Sequence, residues 1–465
     1  MNSFETFHRF AYKNNMINGT NFTSYILAAG QGKRMKSALA KPLHKIGGMA
    51  MLSWVIKTAQ HAGSSQLCIV TSPHAQDMVD YVQHSHETCH IAIQDTALGT
   101  GHATKIAHGA VKESEHPILV LFGDTPLITS ETLSQMAEAV TNGADICVLG
   151  FETATPTGYG RLKTNQEGRL IAIVEEADAT EDEKAITLVN AGVMALSPDF
   201  ANSGLQSLTN GNAQGEYYLT DLVELAAQQE RKITYEVAKE SELLGVNSRA
   251  DLAKAEAALQ DRLRHAAMEN GVTLVAPETI FLSADSVIEA DVIIEPHTVI
   301  AGRCHIRSGA HIKSFSHLED AEVGHDAVIG PYARLRPGTI LGNAVRIGNF
   351  VETKKAVFED GAKANHLSYI GDAEVGAKAN IGAGTITCNY DGYDKFKTQI
   401  GKGAFIGSNT ALVAPVTIGD GAIIGAGSTI TKSVLPDDLS LTRAPQKTLG
   451  GGGTSFRNKK KAKDQ

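Results

Sequence analysis

The chain changes its rhythm of apolar and polar residues part-way along. From Ser24 to about Ser248, continuous apolar runs alternate with amphipathic stretches. YILAA (25–29) is followed by MLSWVIKTAQHAG (51–63), whose apolar positions recur at helical spacing, then by LCIVTS (67–72) and a helix-like stretch ending near Val82. HPILVLFGD (116–124) is a longer apolar run that closes on Gly123-Asp124. Strands that are apolar on both faces and alternate with helices predict an α/β domain, with a mostly parallel, Rossmann-like sheet covered on both sides. Ligands in such folds sit beyond the carboxyl ends of the strands, where Gly30 and Asp124 would lie.

Residues 248–269, SRADLAKAEAALQDRLRHAAME, contain neither Gly nor Pro, and Leu252, Glu256, Leu259 and Leu263 keep helical spacing. This predicts a connecting helical arm. Beyond it the period becomes six: Ile288, Ile294, Ile300, Ile306 and Ile312; then Val323, Ile329, Leu335, Leu341 and Ile347; then Ile400, Ile406, Leu412, Ile418, Ile424 and Ile430. No α-helix sustains that period. It predicts a parallel β-helix in which each hexad gives one short strand and the apolar residue points inward. The hexads break at TCNYDGYDKFKTQ (387–399), which predicts a projecting loop able to carry binding residues. The expected organisation is a disordered extension over 1–22, a nucleotide-handling domain over 23–248, a helical linker over 249–270, a β-helix over 271–447, and a disordered Gly-rich, basic tail over 448–465.

The 465 residues exceed one ordinary domain. A hydrophobic content of 42% fits a water-soluble protein, and the net charge of −9 argues against a general nucleic-acid binder. The five cysteines are scattered without a C-x-x-C pair, as expected for a reducing cytoplasm. No apolar run approaches membrane-span length, and the first twenty residues lack the apolar core of a secretory signal, with Met16 a possible alternative start. HSHETCH (84–90) could offer zinc ligands, but it sits away from every matched motif and a polar surface segment is the favoured reading.

ILAAGQGKRM (26–35) is a strand running into a Gly-rich turn with cations. It lacks the third glycine of the dinucleotide fingerprint, because Met35 stands there, and the Ser or Thr of a P-loop, because Arg34 follows Lys33. Two readings stay open on these residues alone. Gly30 and Gly32 can bring backbone N–H groups to an anion, with Lys33 and Arg34 supplying charge, or the stretch is an ordinary strand-to-helix turn.

Taken in order, LAAGQGKRM, LAKPLHKIGG, ALGTGHA, FGDTPL, PTGYGRL, IVEEADAT, NAGV, NAQGEYYLTD and GVNSRADL resemble one family. So do ARLRPGT, GNFVETKKA, NHLSYIGDAEVG, NIGAGTITCNYDG, FIGSNTALVAPV and SLTRAPQ. It is the bacterial family of bifunctional N-acetylglucosamine-1-phosphate uridylyltransferases and glucosamine-1-phosphate acetyltransferases, and the resemblance covers roughly Tyr25 to Pro445. It implies a nucleotidyltransferase domain joined to a left-handed β-helix of hexapeptide repeats. It also implies a cytoplasmic homotrimer acting on UTP, acetyl-CoA and glucosamine 1-phosphate, without nucleic-acid or membrane partners. The product, UDP-N-acetylglucosamine, would feed peptidoglycan and lipopolysaccharide precursors.

Residue by residue, the resemblance implies that Leu27, Ala28, Ala29 and Gly30 hold the UTP phosphates, that Lys41 neutralises them, and that Gln94, Gly99 and Thr100 read uracil. Phe122, Gly123 and Asp124 would line the same site. Gly160, Glu175 and Asn190 would contact the sugar. Asp124 and Asn247 would hold Mg2+, which suits few protein ligands and hard oxygens. Lys33 and Ala40 depart from the family pattern. In the second half a lone histidine is usually structural, but His366 falls where the family has its acetyltransferase base. Arg336 and Lys354 would neutralise the sugar phosphate, and Tyr369 and Asn380 would position the hexosamine. Ala383, Asn389, Tyr390, Ser408, Ala426 and Arg443 match acetyl-CoA positions. Cys388 invites an acetyl-enzyme reading, but an amine is already a competent nucleophile, so direct transfer is expected.

Overall fold

The computed structural model describes residues 20–30, 32–111, 114–212 and 214–462. Nearly all of the expected N-terminal extension, including Met16, therefore lies outside the described residues. The chain divides into two compact units.

The first unit comprises Met1–Asn270 with Phe281–Val287. Its main sheet has the strands β1 (Phe22–Leu27), β2 (Ser64–Thr71), β3 (His90–Ile93), β4 (Ile118–Phe122), β5 (Ile146–Glu152), β6 (Arg161–Thr164), β7 (Leu170–Val174), β8 (Leu188–Leu196) and β9 (Ile233–Val237). They lie in the order β9-β5-β8-β4-β1-β2-β3, with the β6–β7 hairpin attached to β8. β3, β2, β1 and β4 are parallel neighbours, whereas β8 runs antiparallel to β4 and β5. Every residue of β1 is buried. Two apolar clusters cover the two faces of the sheet, Ile26 and Leu121 in one and Tyr25 and Val120 in the other. This is the two-sided burial that continuous apolar runs require.

The helix Arg249–Glu269 belongs to this unit rather than standing between domains. It buries Ala255, Leu259, Gln260, Leu263 and Arg264. Gln260 explains why Phe281–Val287 returns to the same unit, since its side chain donates to Leu282 O at 2.8 Å and accepts from Leu282 N–H at 2.8 Å. Ser248 and Asp251 form a capping box at the start of the helix.

The second unit, Gly271–Ile280 with Ile288–Gln465, is a ladder of two- to seven-residue parallel strands. Its inward columns hold the hexad residues in register: Ile294, Ile312, Ile329, Ile347, Ala364, Ile381, Ile406 and Ile424. All eight are buried to 2% exposure or less. The hexad pattern slips at its start, where Val287 is buried and Ile288 only half-buried. Of the interruption at 387–399, Thr387–Cys388 and Thr398–Gln399 belong to strands of the coil, and the loop between them projects, with Tyr393 93% exposed. The tail differs from the expected disorder: Gly452–Lys461 is an α-helix whose N-cap, Gly451, takes a left-handed φ of 67°. One turn apart, Phe456 and Lys460 bring Nζ within 5.8 Å of the ring centroid, a local contact that favours helix. Among the described residues no helix is long and apolar enough to cross a membrane.

Candidate functional sites

Where β1 and β4 end, their carboxyl termini are tied together by Gly123 N–H to Leu27 O at 3.0 Å. Over them opens a cleft of about 320 Å³ lined by Leu27, Ala28, Ala29, Gly30, Lys41, Pro42, Gln94, Ala97, Gly99, Thr100, Ala103, Phe122, Asp124 and Glu216. Stretches of sequence far apart thus meet in one place. Lys33 and Arg34 do not line it; they sit in a 3-10 turn, and the cation of the cleft is Lys41.

Lys41 pairs with the Asp124 carboxylate and donates to Asn247 Oδ1 at 3.1 Å. Both side chains of the ion pair are mostly buried, at 13% and 18% exposure. Asn247 is held by the capping box, its N–H donating to Asp251 Oδ2 at 3.2 Å, while Val246 N–H reaches Asp124 O at 2.9 Å. The helix read from the sequence as a linker therefore positions a residue of the site. Two hard oxygens, one ionised, already converge on a single cationic atom, so this donor set fits a divalent cation that also binds phosphate oxygens. No group of three or more His, Cys, Asp or Glu among the described residues could hold a metal by itself. In HSHETCH, His86 Nε2 instead bonds Ser53 Oγ at 2.7 Å, and burial, helped by Lys57, pushes its pKa down to about 4.

At the opposite end of the cleft, Gln94 donates through Nε2 to Gly99 O at 3.2 Å. Gly99 has φ +103, and a Cβ there would lie 2.6 Å from Tyr217 O, so the position accepts only glycine. The Phe122 ring would lie 2.8 Å from a Cβ at Gly192, and Gly192 leads to the expected sugar residues. Gly192 N–H donates to Asn190 Oδ1 at 2.9 Å, and Asn190 N–H donates to Gly160 O at 2.8 Å. Both Glu175 carboxylate oxygens lie 3.4 Å from where a Gly160 Cβ would stand. Burial pushes the Glu175 carboxyl up, Thr220 pulls it back, and the charge of Asp178 adds to the rise. Sequence reasoning missed Glu216, Thr220 and Arg161, though all three lie in the motifs NAQGEYYLTD and PTGYGRL. Arg161 is 1% exposed, pairs with Glu176 at 2.6 Å and donates to the carbonyl oxygens of Tyr159 and Lys184.

In the second unit, His366 ends the strand Lys363–His366 and stands in register with Asn349. Its Nδ1 is 2.9 Å from Asn349 Oδ1. An amide oxygen only accepts, so this pairing puts the ring proton on Nδ1 and leaves the Nε2 lone pair free. Backbone bonds from Leu367 to Asn349, Gly384 to His366, Asn409 to Ala383 and Gly427 to Ser408 show that Asn349, His366, Ala383, Ser408 and Ala426 follow one edge of the prism. Arg443 Nη1 donates to Ala426 O on that edge, at 2.8 Å. Beside His366 is a groove of about 590 Å³ that includes Lys313, Arg346 and Asn365.

Across the corner, Tyr369 lies in register with Glu352, and Arg336 Nη1 pairs with Glu352 at 2.8 Å. The Lys354 ammonium is held below its usual range first by the charge of Lys395 and then by that of Arg336, with Asp372 opposing them. Lys395, from the projecting loop, was not singled out from sequence. Asn380 is in register with Lys363, Asn389 donates to Asp372, and Tyr390 OH donates to Gly392 O at 2.6 Å. Cys388 Sγ faces Ile386 O at 4.0 Å.

Residues 24–196 match the family described as MobA-like NTP transferase domain, and 397–432 match the bacterial transferase hexapeptide family. Over 441 residues the chain is 54% identical to the bifunctional protein GlmU of Maricaulis maris, covering 95% of this chain and 97% of that one. The proteins of the same name from Parvibaculum lavamentivorans and a Bradyrhizobium species are 54% and 50% identical, each over 94% of this chain and 97% of theirs.

Proposed function

The chain belongs to the bifunctional GlmU family, and from that premise we propose how its two sites divide the work. The enzyme acetylates glucosamine 1-phosphate from acetyl-CoA in its hexapeptide unit. It then transfers UMP from UTP to N-acetylglucosamine 1-phosphate in its NTP-transferase unit, releasing pyrophosphate. UDP-N-acetylglucosamine, the product, supplies cell-wall precursor synthesis.

For uridylyltransfer, the observation that carries the reading is the convergence of Lys41, Asp124 and Asn247 at the phosphate end of a cleft whose other end holds Gln94, Gly99 and Thr100. Leu27 to Gly30 cradle the triphosphate, with Ala29 and Gly30 as the N–H donors, since Ala28 N–H is already given to Val70 O at 2.8 Å. Gln94 and the backbone of Gly99 supply donors and an acceptor for uracil. Gly160, Glu175 and Asn190 hold the sugar so that its phosphate oxygen attacks the α-phosphorus in line as pyrophosphate leaves. Asp124 and Asn247 would hold the divalent cation, Mg2+ in this reading, which supplies charge compensation at the phosphates. Lys41 adds fixed positive charge in a mostly buried position, so positioning and electrostatics do most of the work.

For acetyltransfer, Arg336 and Lys354 anchor the sugar phosphate, with Lys395 beside them, while Tyr369 and Asn380 orient the hexosamine. His366 Nε2 accepts a proton from the 2-amino group as its nitrogen bonds the thioester carbonyl carbon. The C–S bond then breaks and CoA leaves as the thiol. Ala383, Ser408 and Ala426 leave room along the edge for acetyl-CoA, which Asn389, Tyr390 and Arg443 would grip. Packing of three prisms would complete this site. Exposed apolar residues in register on one outward face support that association: Phe405 and Ile423 at 48% exposure and Leu439 at 66%. Five free thiols support a cytoplasmic location.

The test is to assay the purified full chain for CoA release with glucosamine 1-phosphate and for pyrophosphate release with N-acetylglucosamine 1-phosphate, and to size it by light scattering. Both releases and a trimer mass are expected. Absence of CoA release would reduce the β-helix to a scaffold.

A further inference from the structure

Residues 214–220, together with Asn212, touch both ends of the first site. Tyr217 N–H donates to Leu98 O at 2.8 Å and Tyr217 O accepts from Gly101 N–H at 2.8 Å, so the segment is zipped onto the loop that carries Gly99 and Thr100. Leu219 N–H adds a bond to Thr100 Oγ1 at 3.1 Å. One residue on, Thr220 is 8% exposed and donates Oγ1–H to Glu175 Oε1 at 3.1 Å. The root of the segment is fixed by Asn212. Its Oδ1 accepts from Gln214 N–H at 3.3 Å and Glu216 N–H at 3.2 Å, and its Nδ2 donates to Glu216 O.

We propose that residues 214–220, braced by Asn212, are a positioning strap that holds the base-reading loop and the sugar-contact carboxylate in one geometry, with Thr220 acting through Glu175 and Asn212 acting through Gly99 and Thr100. The proposal rests on the roles given above to Glu175, Gly99 and Thr100. Its physical basis is that a carboxylate accepts through two oxygens. Fixing one of them with a hydroxyl aims the other at a sugar hydroxyl. Asp178, Asp221 and Glu224, which crowd this end, are acceptors when ionised and cannot substitute for that donor. The backbone bonds carry the strap's position to the other end, where Gly99 and Gly101 leave no room for a side chain. A Cβ at Gly101 would lie 2.9 Å from the same Tyr217 carbonyl oxygen.

Thr220→Val keeps the shape and removes the donor, whereas Thr220→Ser keeps the donor. In the full-length enzyme, assayed by pyrophosphate release, Thr220→Val should raise KM for N-acetylglucosamine 1-phosphate about tenfold, the scale of one hydrogen bond to a charged group. KM for UTP should stay within about twofold, as for an independent site. Thr220→Ser should restore the sugar KM, and Asn212→Ala should raise both KM values. Equal shifts of both KM values in Thr220→Val, or no restoration by Thr220→Ser, overturns the proposal. So does an Asn212→Ala variant that changes only the thermal midpoint. Glu175→Gln separates the premise from the strap. A raised sugar KM there with an unchanged one in Thr220→Val sinks the strap alone, and an unchanged KM in Glu175→Gln sinks the sugar-contact reading together with it.

Discussion

In the first unit, Lys41, Gln94 and Asp124 line one partly enclosed cleft, Asn247 is tied to it through Lys41, and Glu175 is tied to Thr220, next to the Leu219 that bonds Thr100. In the β-helix unit the candidate groups stand on an outer edge and an outer face, repeated at coil spacing, and His366 is exposed. The contrast follows from how each fold ends its strands. A doubly covered sheet delivers loops to one rim, so a single chain can close a site. A prism delivers side chains in columns, so its residues align easily but enclose little, and a further surface must cover them. The first site should therefore be disturbed by changes inside one chain, and the second also by changes in association.

The largest effect expected is from Asp124→Ala. It removes the charged member of the proposed cation-binding pair, and uridylyltransfer should fall at least on the order of a thousandfold. CoA release should be unchanged, because no residue of the β-helix unit is altered. Near-normal pyrophosphate release from this variant would break the assignment. His366→Ala is the reciprocal case. Loss of a general base costs on the order of a hundredfold or more in CoA release. Pyrophosphate release from supplied N-acetylglucosamine 1-phosphate should persist, and a variant defective in both reactions would show that the two units are not independent.

A smaller, sharper test concerns where the first unit ends. Asn247 is held by Asp251, Arg249 Nε donates to Met35 O at 3.2 Å, Ala284 N–H reaches Gly47 O at 2.9 Å, and Lys57 pairs with Asp285 at 3.5 Å. A fragment stopping at Ser248 loses all four supports, whereas one stopping at Val287 keeps them. Pyrophosphate release by the shorter fragment should fall by about tenfold or more through mispositioning of Asn247, and the longer should match the full chain. Equal activity of the two fragments would return the helix to the role of a mere connector.

That boundary marks how far the sequence could be read. Gly30 and Asp124 were legible because each follows an unbroken apolar run whose end is unambiguous. The columns of the prism were legible because a period of six survives without any tertiary knowledge. The helix Arg249–Glu269 was legible as a helix, but which unit it joins depends on Gln260 meeting Leu282, a contact between residues with no shared pattern. Thr220 and Arg161 escaped for the same reason. Their partners, Glu175 and Glu176, follow β7 in a loop without periodicity, remote in sequence from both. In the tail, glycine and lysine composition pointed to disorder, whereas Phe456 and Lys460 supply a helical contact that composition does not register.

The smallest effect tests whether the two units also differ in how they carry charge. In the first unit, burial, then Glu224, Glu175 and Asp178, push the Asp221 carboxyl up to about 6. In the second, burial also pushes Glu289 and Glu295 up, but N–H donors of Ser308 and Ser314 with His305 and His311 outweigh it, and both end below the usual range. The signs are opposite. An acid raised above its unfolded value of about 3.9 favours the protonated fold, so Asp221 destabilises the first unit above about pH 6 and the penalty fades as pH falls toward 4. The lowered Glu289 and Glu295 stabilise the second unit above their unfolded values of about 4.3, and that contribution is lost as pH falls through their folded values. Asp221→Asn should therefore raise the melting midpoint of the first unit by about 2 °C at pH 8 and leave it unchanged at pH 4. The transition of the β-helix should not move at either pH. A shift of equal size at both pH values would mean that the amide acts through packing, and the charge difference between the units would be lost as an explanation.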